Sequence, residues 1–359
     1  MSSPERAGGG GRAGVDLVVV GDANPDVLVI GDDVTPEFGQ KEKLVRSGIL
    51  TLGGSAAITA VAAARLGLSV ALVAAVGPDA AGEFMRGELA RAGVDTSWLA
   101  VRAAAPTGLT VVLTGGTDRA ILTAAGAIGS LTASDVPGEL LAGARHVHVS
   151  SYFLMAGSLG PGLAGLLAGA RAAGATTSVD TNWDPSGRWG EDTWLRAALA
   201  QADLLLPNEA EALALSGEPD LAGAVRALAG RAGRGAGRAG RGAARVVVKR
   251  GARGALCADR DGWRQVSLPP VTPVDDTGAG DCFNAGLITG LLNGLDLPGA
   301  AALGCAAGAL STQAAGGTGS CLSLVTASAL AAKATTSKVT ASEVIAPEAT
   351  APAADETAG

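Results

Sequence analysis

The stretch Gly278-Ala279-Gly280-Asp281 combines residue types that could bind an anion and accept a proton. Small side chains at 278–280 would let an oxygen-rich ligand approach the backbone N–H groups closely. A helical pattern follows, and the first N–H groups of a helix attract an anion. A carboxylate at Asp281, beside such a site, could take the proton of an attacking hydroxyl. An acidic first-turn residue without any chemistry is an equally good interpretation of this spacing alone.

A phosphoryl-transfer site needs a nucleotide cradle, an acceptor pocket, a divalent cation and a base. The sequence contains no GxxxxGK[ST] loop, and it contains neither the HRD nor the DFG motif of protein kinases. Both of these kinase machineries are therefore excluded. If this chain transfers phosphate, the glycine turn at 278–281 must supply the anion site by itself.

Three motifs together resemble the ribokinase-like carbohydrate kinases, also called the PfkB family. DDTGAGD at 275–281 is similar to the family's C-terminal signature, and GGSAA at 53–57 is similar to its N-terminal signature region. PNEAE at 207–211 contains the family's NxxE motif. The resemblance implies an ATP-dependent kinase that uses Mg²⁺ and phosphorylates a hydroxyl of a small-molecule sugar or nucleoside.

The resemblance also implies roles for individual residues. The catalytic base would be Asp281, and the anion hole would be the backbone of Gly278, Ala279 and Gly280. The residues assigned to the acceptor are Asp26, Gly53, Gly54, Ser55 and Asn182. The residues assigned to the nucleotide are Asn208, Lys249, Gly251 and Gly254, with Lys249 and the two glycines at the ribose and adenine. The metal residues are Asn208 and Glu211 for Mg²⁺, and Asp275, Thr277 and Gly316 for a monovalent cation such as K⁺.

Residue chemistry is compatible with these roles but also offers structural interpretations. The carboxylate of Asp26 gives a polyol two hydrogen-bond acceptors, although an ordinary turn residue would look the same in the sequence. Asn208 is a good helix N-cap and Glu211 would then lie in the first turn. For Asn208 and Glu211, capping and magnesium positioning can hold together.

Three departures from the family pattern bear on the substrate. Ile58 stands where many members have an asparagine that contacts the sugar, and Asp276 replaces a small hydroxyl or apolar residue. Asp184 stands where kinases for acidic keto sugars carry an arginine. Because a carboxylate there would repel an acidic sugar, we expect a neutral monosaccharide, with a nucleoside as the alternative. A degenerate member that binds sugar or nucleotide and regulates without catalysis is a third interpretation, but the retained Asp281 argues against it.

Composition excludes several other classes of protein. The chain has 359 residues and a net charge of −7, so nothing in its overall charge favours a nucleic-acid partner. The 4 cysteines form no CxxC pair, which favours reduced thiols and a cytoplasmic location. Residues 1–14 lack the apolar core of a signal peptide, and glycines and polar residues interrupt the uncharged run at 297–332. We therefore expect no membrane segment.

Alternating strand and helix patterns predict the fold class. A buried strand at 15–21 is followed by helices and strands that alternate through residue 258, which indicates a doubly wound α/β fold with a mostly parallel sheet. The segments at 25–52 and 107–125 interrupt this alternation with strand-like runs. We expect them to form a small β-sheet lid over the acceptor. Similar enzymes often dimerise through such a lid, so a homodimer is a candidate assembly.

The predicted domain boundaries follow from composition. The kinase domain is expected to span 15–332, after a disordered N-terminus at 1–14. An Arg/Gly/Ala-rich insertion at 229–244 interrupts the domain, and the Ala/Thr/Pro-rich tail at 333–359 is expected to be disordered. The role of the insertion is left open by its composition.

Overall fold

The first strand of the chain is buried on both faces. The computed structural model describes residues 14–115, 118–231, 245–319 and 322–345. The first strand, β1, spans Leu17–Val20. Its sequence is LVVV, and successive side chains of a strand point to opposite faces. Leu17 and Val19 join one hydrophobic cluster, while Val18 and Val20 join the other. A strand of this composition therefore belongs at the centre of a sheet that is covered on both sides.

The main sheet contains ten strands within the described residues. Besides β1 they are β4 (Val70–Val76), β5 (Leu99–Val101), β8 (His146–Val149), β9 (Thr176–Val179), β10 (Leu204–Leu205), β11 (Arg245–Lys249), β12 (Ala255–Asp259), β13 (Gly262–Ser267) and β14 (Thr335–Val339). Their order is β14-β13-β12-β11-β10-β9-β8-β1-β4-β5. Pairing is parallel from β5 across to β11 and antiparallel from β11 to β14.

Helices cover both faces of this sheet. One face is packed by α1 (Ser55–Arg65), α2 (Ala80–Arg91), α8 (Ala279–Leu292), α9 (Leu297–Ser311) and α10 (Leu324–Ala331). The other face is packed by α3 (Gly138–Gly143), α4 (Ala156–Ala172), α5 (Thr193–Leu199), α6 (Glu209–Ser216), α7 (Leu221–Arg231) and α11 (Ala341–Ile345). The predicted doubly wound α/β fold is confirmed.

A second, four-stranded sheet stands apart from the main one. It consists of β2 (Asn24–Gly31), β3 (Ser47–Gly53), β6 (Leu109–Gly115) and β7 (Asp118–Ala124), in the order β3-β2-β6-β7. The strands of both interrupting segments, 25–52 and 107–125, thus pair with one another, and β2 and β6 join them in parallel. The predicted small sheet is therefore present.

The tail differs from its prediction. Residues 335–339 were expected to be disordered but form β14, which pairs with all five of Trp263–Ser267 on β13. Threonine and valine favour extended backbone, and an open sheet edge provides the pairing partner that composition alone does not reveal. The predictions for 1–13, for 232–244 of the insertion and for 346–359 lie outside the described residues. Residues 229–231 of the predicted insertion end α7.

The strand order reverses between β1 and β8. From β1 the chain builds outward to β4 and β5, and later strands build the other side through β8, β9, β10 and β11. In open α/β sheets the ligand crevice lies at the carboxyl ends of the strands beside such a reversal. Among the described residues, no helix has both the length and the apolar composition needed to cross a bilayer.

Candidate active site

The turn before α8 places Asp281 at the strand reversal. Gly278 is the N-cap of α8 and has a φ of 71°, a left-handed conformation that glycine adopts without strain. A Cβ on Gly278 would lie 2.6 Å from the Cα of Gly317, so the turn also has no room for a side chain. Asp281 follows in the first turn of the helix and is only 7% exposed. The glycine turn and its acidic residue have the local structure that the sequence predicted.

The Asp281 carboxyl group is connected to α1 and β9 through side chains. The Ser55 hydroxyl lies close enough to the Asp281 side chain to lower the pKa of that carboxyl group, and the Ser55 Oγ accepts a hydrogen bond of 3.0 Å from Nδ2 of Asn182. Burial raises the pKa of Asp281 well above its ordinary value, and the nearby Asp180 carboxylate raises it further. A higher pKa makes the ionised carboxylate a stronger base. Ser55 and Asn182 therefore lie beside the group to which the resemblance assigns proton transfer.

Asn182 is held by the protein on its oxygen as well. Its Oδ1 accepts hydrogen bonds from the backbone N–H of Ser151 at 2.8 Å and from the Ser150 hydroxyl at 3.2 Å. Its φ of 56° is left-handed, a conformation that asparagine tolerates better than most residues. The sequence assigned Asn182 to the acceptor. Its contacts show that it joins the ends of β8 and β9 to the start of α1.

Asp26 lies on β2 at the base of the small sheet. It is 6% exposed, and its Oδ1 accepts a hydrogen bond of 3.0 Å from Nδ2 of Asn24. Burial, followed by the charge of Asp22, raises the pKa of Asp26 to about 7. A Cβ on Gly53 would overlap the Asp26 carboxylate, so the loop before α1 passes directly against this acid. The structure thus brings Asp26 and Gly53 together.

Asp22 explains how the start of α1 is held. Its two carboxylate oxygens accept hydrogen bonds from the backbone N–H groups of Ser55 at 3.1 Å and Ala56 at 2.8 Å. Gly54, the N-cap of α1, has a φ of 84° and no side chain to cap the helix, so Asp22 supplies the cap from the end of β1. The sequence analysis missed this residue, although its position directly after a buried strand was a usable signal.

Asn208 and Glu211 form a reciprocal helix cap. The Asn208 Oδ1 accepts from the Glu211 N–H at 2.9 Å, and a Glu211 carboxylate oxygen accepts from the Asn208 N–H at 2.8 Å. Burial and then the Asp180 charge raise the pKa of Glu211 to about 7. The predicted capping role is confirmed. A polar, oxygen-bearing pair that faces other carboxylates also has the donor chemistry that Mg²⁺ accepts.

Lys249 enters the same region from the end of β11. Its ammonium forms an ion pair with Asp180, and the same Asp180 oxygen accepts a hydrogen bond of 2.6 Å from Nδ2 of Asn284 on α8. The Lys249 Nζ lies 3.6 Å from the position that a Cβ on Gly280 would occupy. This side chain therefore lies beside the anion-hole turn, whereas the resemblance had placed Lys249 at the ribose and adenine.

The two glycines grouped with Lys249 have different surroundings. Gly251 has a φ of 56° and open space where a side chain would lie, as a nucleoside contact would require. Gly254 has a φ of 83°, and a Cβ there would overlap the backbone oxygen of Val266 on β13. Gly254 is thus required by the close approach of β13.

The structure brings Asp275, Thr277 and Gly316 together. Asp275 accepts hydrogen bonds from the backbone and hydroxyl of Thr277 at 2.9 and 2.7 Å, and from the N–H of Gly316 at 2.8 Å. These bonds fix the loop that precedes α8. Within the described residues, no group of three or more His, Cys, Asp or Glu side chains is arranged to hold a metal by itself. A cation here would therefore need backbone, water or phosphate oxygens as well.

The three departures from the family pattern have separate explanations. The Ile58 side chain lies close to Gly278 and Gly317, so it forms an apolar wall of the glycine turn. Asp276 forms an ion pair with Arg119 of β7, which joins the small sheet to the 275–281 loop. Asp184 accepts hydrogen bonds within its own loop, from Ser186 at 2.8 Å and from Trp189 at 2.6 Å. The hydrogen-bond partners of its carboxylate are therefore residues of its own loop and not residues assigned to the acceptor.

Comparisons with known proteins agree with this architecture. A family model described as pfkB family carbohydrate kinase matches residues 15–323. A fructokinase from Klebsiella pneumoniae is 32% identical over 275 residues, covering 75% of this chain and 85% of the relative. A ribokinase from Haemophilus influenzae is 28% identical over 306 residues, covering 84% and 93%. The structure of Arabidopsis thaliana ribokinase complexed with ribose and ATP shares the fold, with a TM-score of 0.71 at 24% identity over 88% and 98% of the two chains.

Proposed function

This chain belongs to the pfkB family of carbohydrate kinases, and we propose that it transfers the γ-phosphate of ATP to a hydroxyl of a neutral monosaccharide. As a member of this family it is a phosphotransferase that acts on a sugar. The observation that carries the finer proposal is the position of Asp281. A buried carboxylate with a raised pKa lies in the first turn of α8, directly after a glycine turn that has no room for a side chain at Gly278.

The proposed step divides the work among this chain's own residues. Asp281 takes the proton of the acceptor hydroxyl as its oxygen bonds to phosphorus and the bond to the ADP oxygen breaks. The backbone N–H groups at 278–280 hold the phosphoryl oxygens. Asp26 accepts hydrogen bonds from the sugar, and Gly53 and Gly54 bring the start of α1 close to it. Ser55 and Asn182 keep the Asp281 carboxylate in position.

A neutral acceptor is supported by the charges around the site. Asp22 follows β1, Asp26 lies on β2 and Asp281 lies on α8, and all three are buried. Burial is the largest cause that raises the pKa of Asp26 and of Asp281, and the charge of Asp22 raises both further. A sugar acid would add another negative charge to this group, which would cost binding energy. This argument replaces the one that the sequence placed on Asp184.

ATP and Mg²⁺ are proposed as the partners of the sugar. A related kinase of the same fold has been solved with ribose and ATP, which supports the choice of nucleotide. Asn208 and Glu211 would hold Mg²⁺, through water, against the nucleotide phosphates. Bound Mg²⁺ would neutralise part of the phosphate charge, and a site of one carboxylate plus phosphate oxygens is an ordinary one for this ion.

A monovalent cation such as K⁺ is proposed beside the anion hole. Asp275, Thr277 and Gly316 converge there, and a cation held by this loop would fix the turn that begins α8. Turnover should be faster in potassium than in sodium or in a bulky organic cation. Equal rates in the three salts would remove this part of the proposal.

The function is tested by ADP release over neutral pentoses and hexoses, sugar acids and nucleosides. We expect turnover with a neutral sugar and little with acids. In Asp281→Asn, turnover on that sugar should fall by about 10²–10⁴-fold because the proton acceptor is lost. ATP affinity should be retained because the cradle is mostly backbone. If only nucleosides were turned over, the acceptor would be a nucleoside and not a sugar. Near-normal turnover by Asp281→Asn would overturn the role of Asp281.

A further inference from the structure

Lys249 is a charged side chain that the fold buries beside the anion-hole turn. The side chain is 12% exposed, and its ion-pair partner Asp180 is completely buried. Its Nζ is the nearest atom to the position that a Cβ on Gly280 would occupy. The lysine therefore approaches the first turn of α8 from the sheet, on the side of Gly280.

The surrounding acids keep this lysine charged. Burial lowers the pKa of Lys249, but the charges of Asp180, Glu211 and Asp281 outweigh burial, and the pKa stands above its ordinary value. Asn284, a residue of α8, donates a hydrogen bond to the same Asp180 oxygen that binds the ammonium, and this bond helps to fix the position of that oxygen. An ammonium has three N–H donors, and Asp180 accepts from one of them.

The Lys249 ammonium lies at a position where the dipole of α8 acts against a cation. The N-terminus of a helix carries a partial positive charge, so a cation beside the first turn of α8 opposes the helix dipole. Burial of an ion pair also carries a desolvation cost that its own attraction seldom exceeds by much. A multiply charged anion beside this turn would be attracted both by the ammonium and by the N–H groups at the start of α8. A group with the charge of a phosphoryl would satisfy both.

We infer that the Lys249 ammonium contacts the phosphoryl group during its transfer, on the Gly280 side of the anion hole. This inference rests on the proposed function and changes the role of Lys249 from a ribose or adenine contact to a catalytic residue. The lysine keeps its proton throughout. As the bond from phosphorus to the acceptor oxygen forms and the bond to ADP breaks, the ammonium stabilises the charge on the equatorial oxygens.

A simpler role for Lys249 would be neutralisation of Asp180. The two roles are separated by Lys249→Met, Asp180→Asn and the double variant, which removes both charges of this ion pair. Lys249→Met should lower kcat by about 10²–10³-fold, the usual effect of removing one charge-stabilising group. The double variant should regain thermal stability but keep the low kcat, and Asp180→Asn alone should lose clearly less. Arg102→Met, which breaks a more exposed ion pair with Asp135, is the control for the loss of an ion pair elsewhere in the fold and should keep normal kcat.

Two kinetic outcomes would overturn the inference. If the double variant regains kcat to within about threefold of the parent chain, the lysine only neutralises Asp180. If all three variants lose kcat equally, the pair acts as a structural unit. Lys249→Arg, which keeps the charge, should recover part of the lost turnover.

Binding provides a readout that does not depend on turnover. Calorimetry should show that Lys249→Met weakens an imido analogue of ATP by at least about tenfold while ADP affinity stays within about twofold, because only the analogue carries the γ-phosphoryl. Equal weakening of both nucleotides would contradict the assigned contact. If the parent chain turned over no sugar at all, the proposed function would fail, yet this comparison would still test Lys249. If the parent protein were active, Asp281→Asn inactive and Lys249→Met normally active, the role of Lys249 would be refuted. The proposed function would stand.

Discussion

Gly53 lies directly against the carboxylate of Asp26, so closely that an added Cβ would overlap it. The glycine is the last residue of β3, and the acid is on the neighbouring strand β2. Because Gly53 has no side chain, the start of α1 can lie directly beside Asp26.

The first prediction is that Gly53→Ala harms sugar use. The methyl group must displace Asp26 or the loop, and a shift of about 1 Å at a reacting centre can lower kcat/KM by about 10²-fold. Gly48→Ala is the matched control, because Gly48 lies on the same strand with open space beside it. Steady-state kinetics with the true sugar compares them. Indistinguishable kcat/KM values for the two variants would show that the contact with Asp26 is not needed.

The second prediction concerns Gly280, which lies inside α8. Alanine is favoured over glycine in a helix by about 0.5–1 kcal/mol, and a Cβ here would meet only the Lys249 side chain at 3.6 Å or more. Gly280→Ala should therefore keep or gain thermal stability while turnover falls by about 10-fold to 10²-fold, because the methyl group narrows the anion hole. Gly87→Ala in α2, at an open position, should gain stability without losing turnover. Normal turnover in Gly280→Ala would indicate that phosphate binds elsewhere.

The third prediction is a magnesium effect of Glu211→Gln. Glutamine can still accept the hydrogen bond from Asn208, so the helix cap should survive, but the negative charge is lost. The Mg²⁺ concentration for half-maximal activity should rise by about 10-fold to 100-fold, as it does when groups around a metal are replaced. Glu209→Gln is the control, because Glu209 lies in the same helical turn and forms ion pairs with Arg250 and Arg253 instead. This variant should leave the Mg²⁺ concentration for half-maximal activity unchanged. Full activity in excess chelator would show that no divalent cation is used.

The fourth prediction links Asp26 to the pH dependence of stability. Its pKa rises from 3.8 to about 7 on folding, so folding favours the protonated form. The contribution of Asp26 to stability is complete below pH 3.8 and is lost as the pH rises through about 7. Asp26→Asn should therefore melt at a higher temperature than the parent at pH 8.5 and near the parent value at pH 4. Because Glu211 titrates in the same range, only the difference between the two proteins reports Asp26.

The difference in melting temperature between Asp26→Asn and the parent protein would also measure how much the buried Asp26 carboxylate destabilises the fold. The same Asp26→Asn change should weaken sugar binding, since a carboxylate acceptor is lost. If the melting temperatures of the two proteins differed equally at both pH values, Asp26 would not titrate as the buried site implies.

The fifth prediction is that the small sheet acts as a lid. The segments 25–52 and 107–125 should exchange backbone hydrogen more slowly when sugar and a non-hydrolysable ATP analogue are both bound, because closure excludes water. The ion pair between Arg119 and Asp276 already joins this sheet to the 275–281 loop, so the two should respond together. Helix α4, which packs on the face of the main sheet opposite to α8, provides the internal reference for hydrogen exchange. Unchanged exchange at saturating ligand would indicate a fixed sheet.

The sequence could predict what local patterns control. The strand–helix alternation identified the doubly wound sheet, and the two interrupting segments identified the small sheet. DTGAGD predicted the turn and the first-turn position of Asp281, because glycine content and helix periodicity are local properties. Asn208 and Glu211 could be assigned to a cap because both partners lie within one helical turn.

The sequence could not predict contacts between distant segments. Asp180 and Lys249 are 69 residues apart, and Asp180 and Asn284 are 104 apart, so no periodicity connects them. The direction of the Lys249 side chain is set by the sheet order, which brings β9, β10 and β11 side by side. The tail was misjudged for a similar reason. Its alanines and threonines suggested disorder, but pairing with β13 decided its conformation.

Strand β14 also determines where this chain can be shortened safely. It pairs along β13, covering backbone groups next to the part-buried Trp263 and the buried Val266. A protein ended at residue 332 would leave β13 as a bare edge, and such edges recruit other chains and lead to aggregation. The natural edge is the polar strand TTSKV, whose lysine discourages that association. An expression boundary should therefore lie beyond residue 345, so that β14 continues to cover the edge of β13.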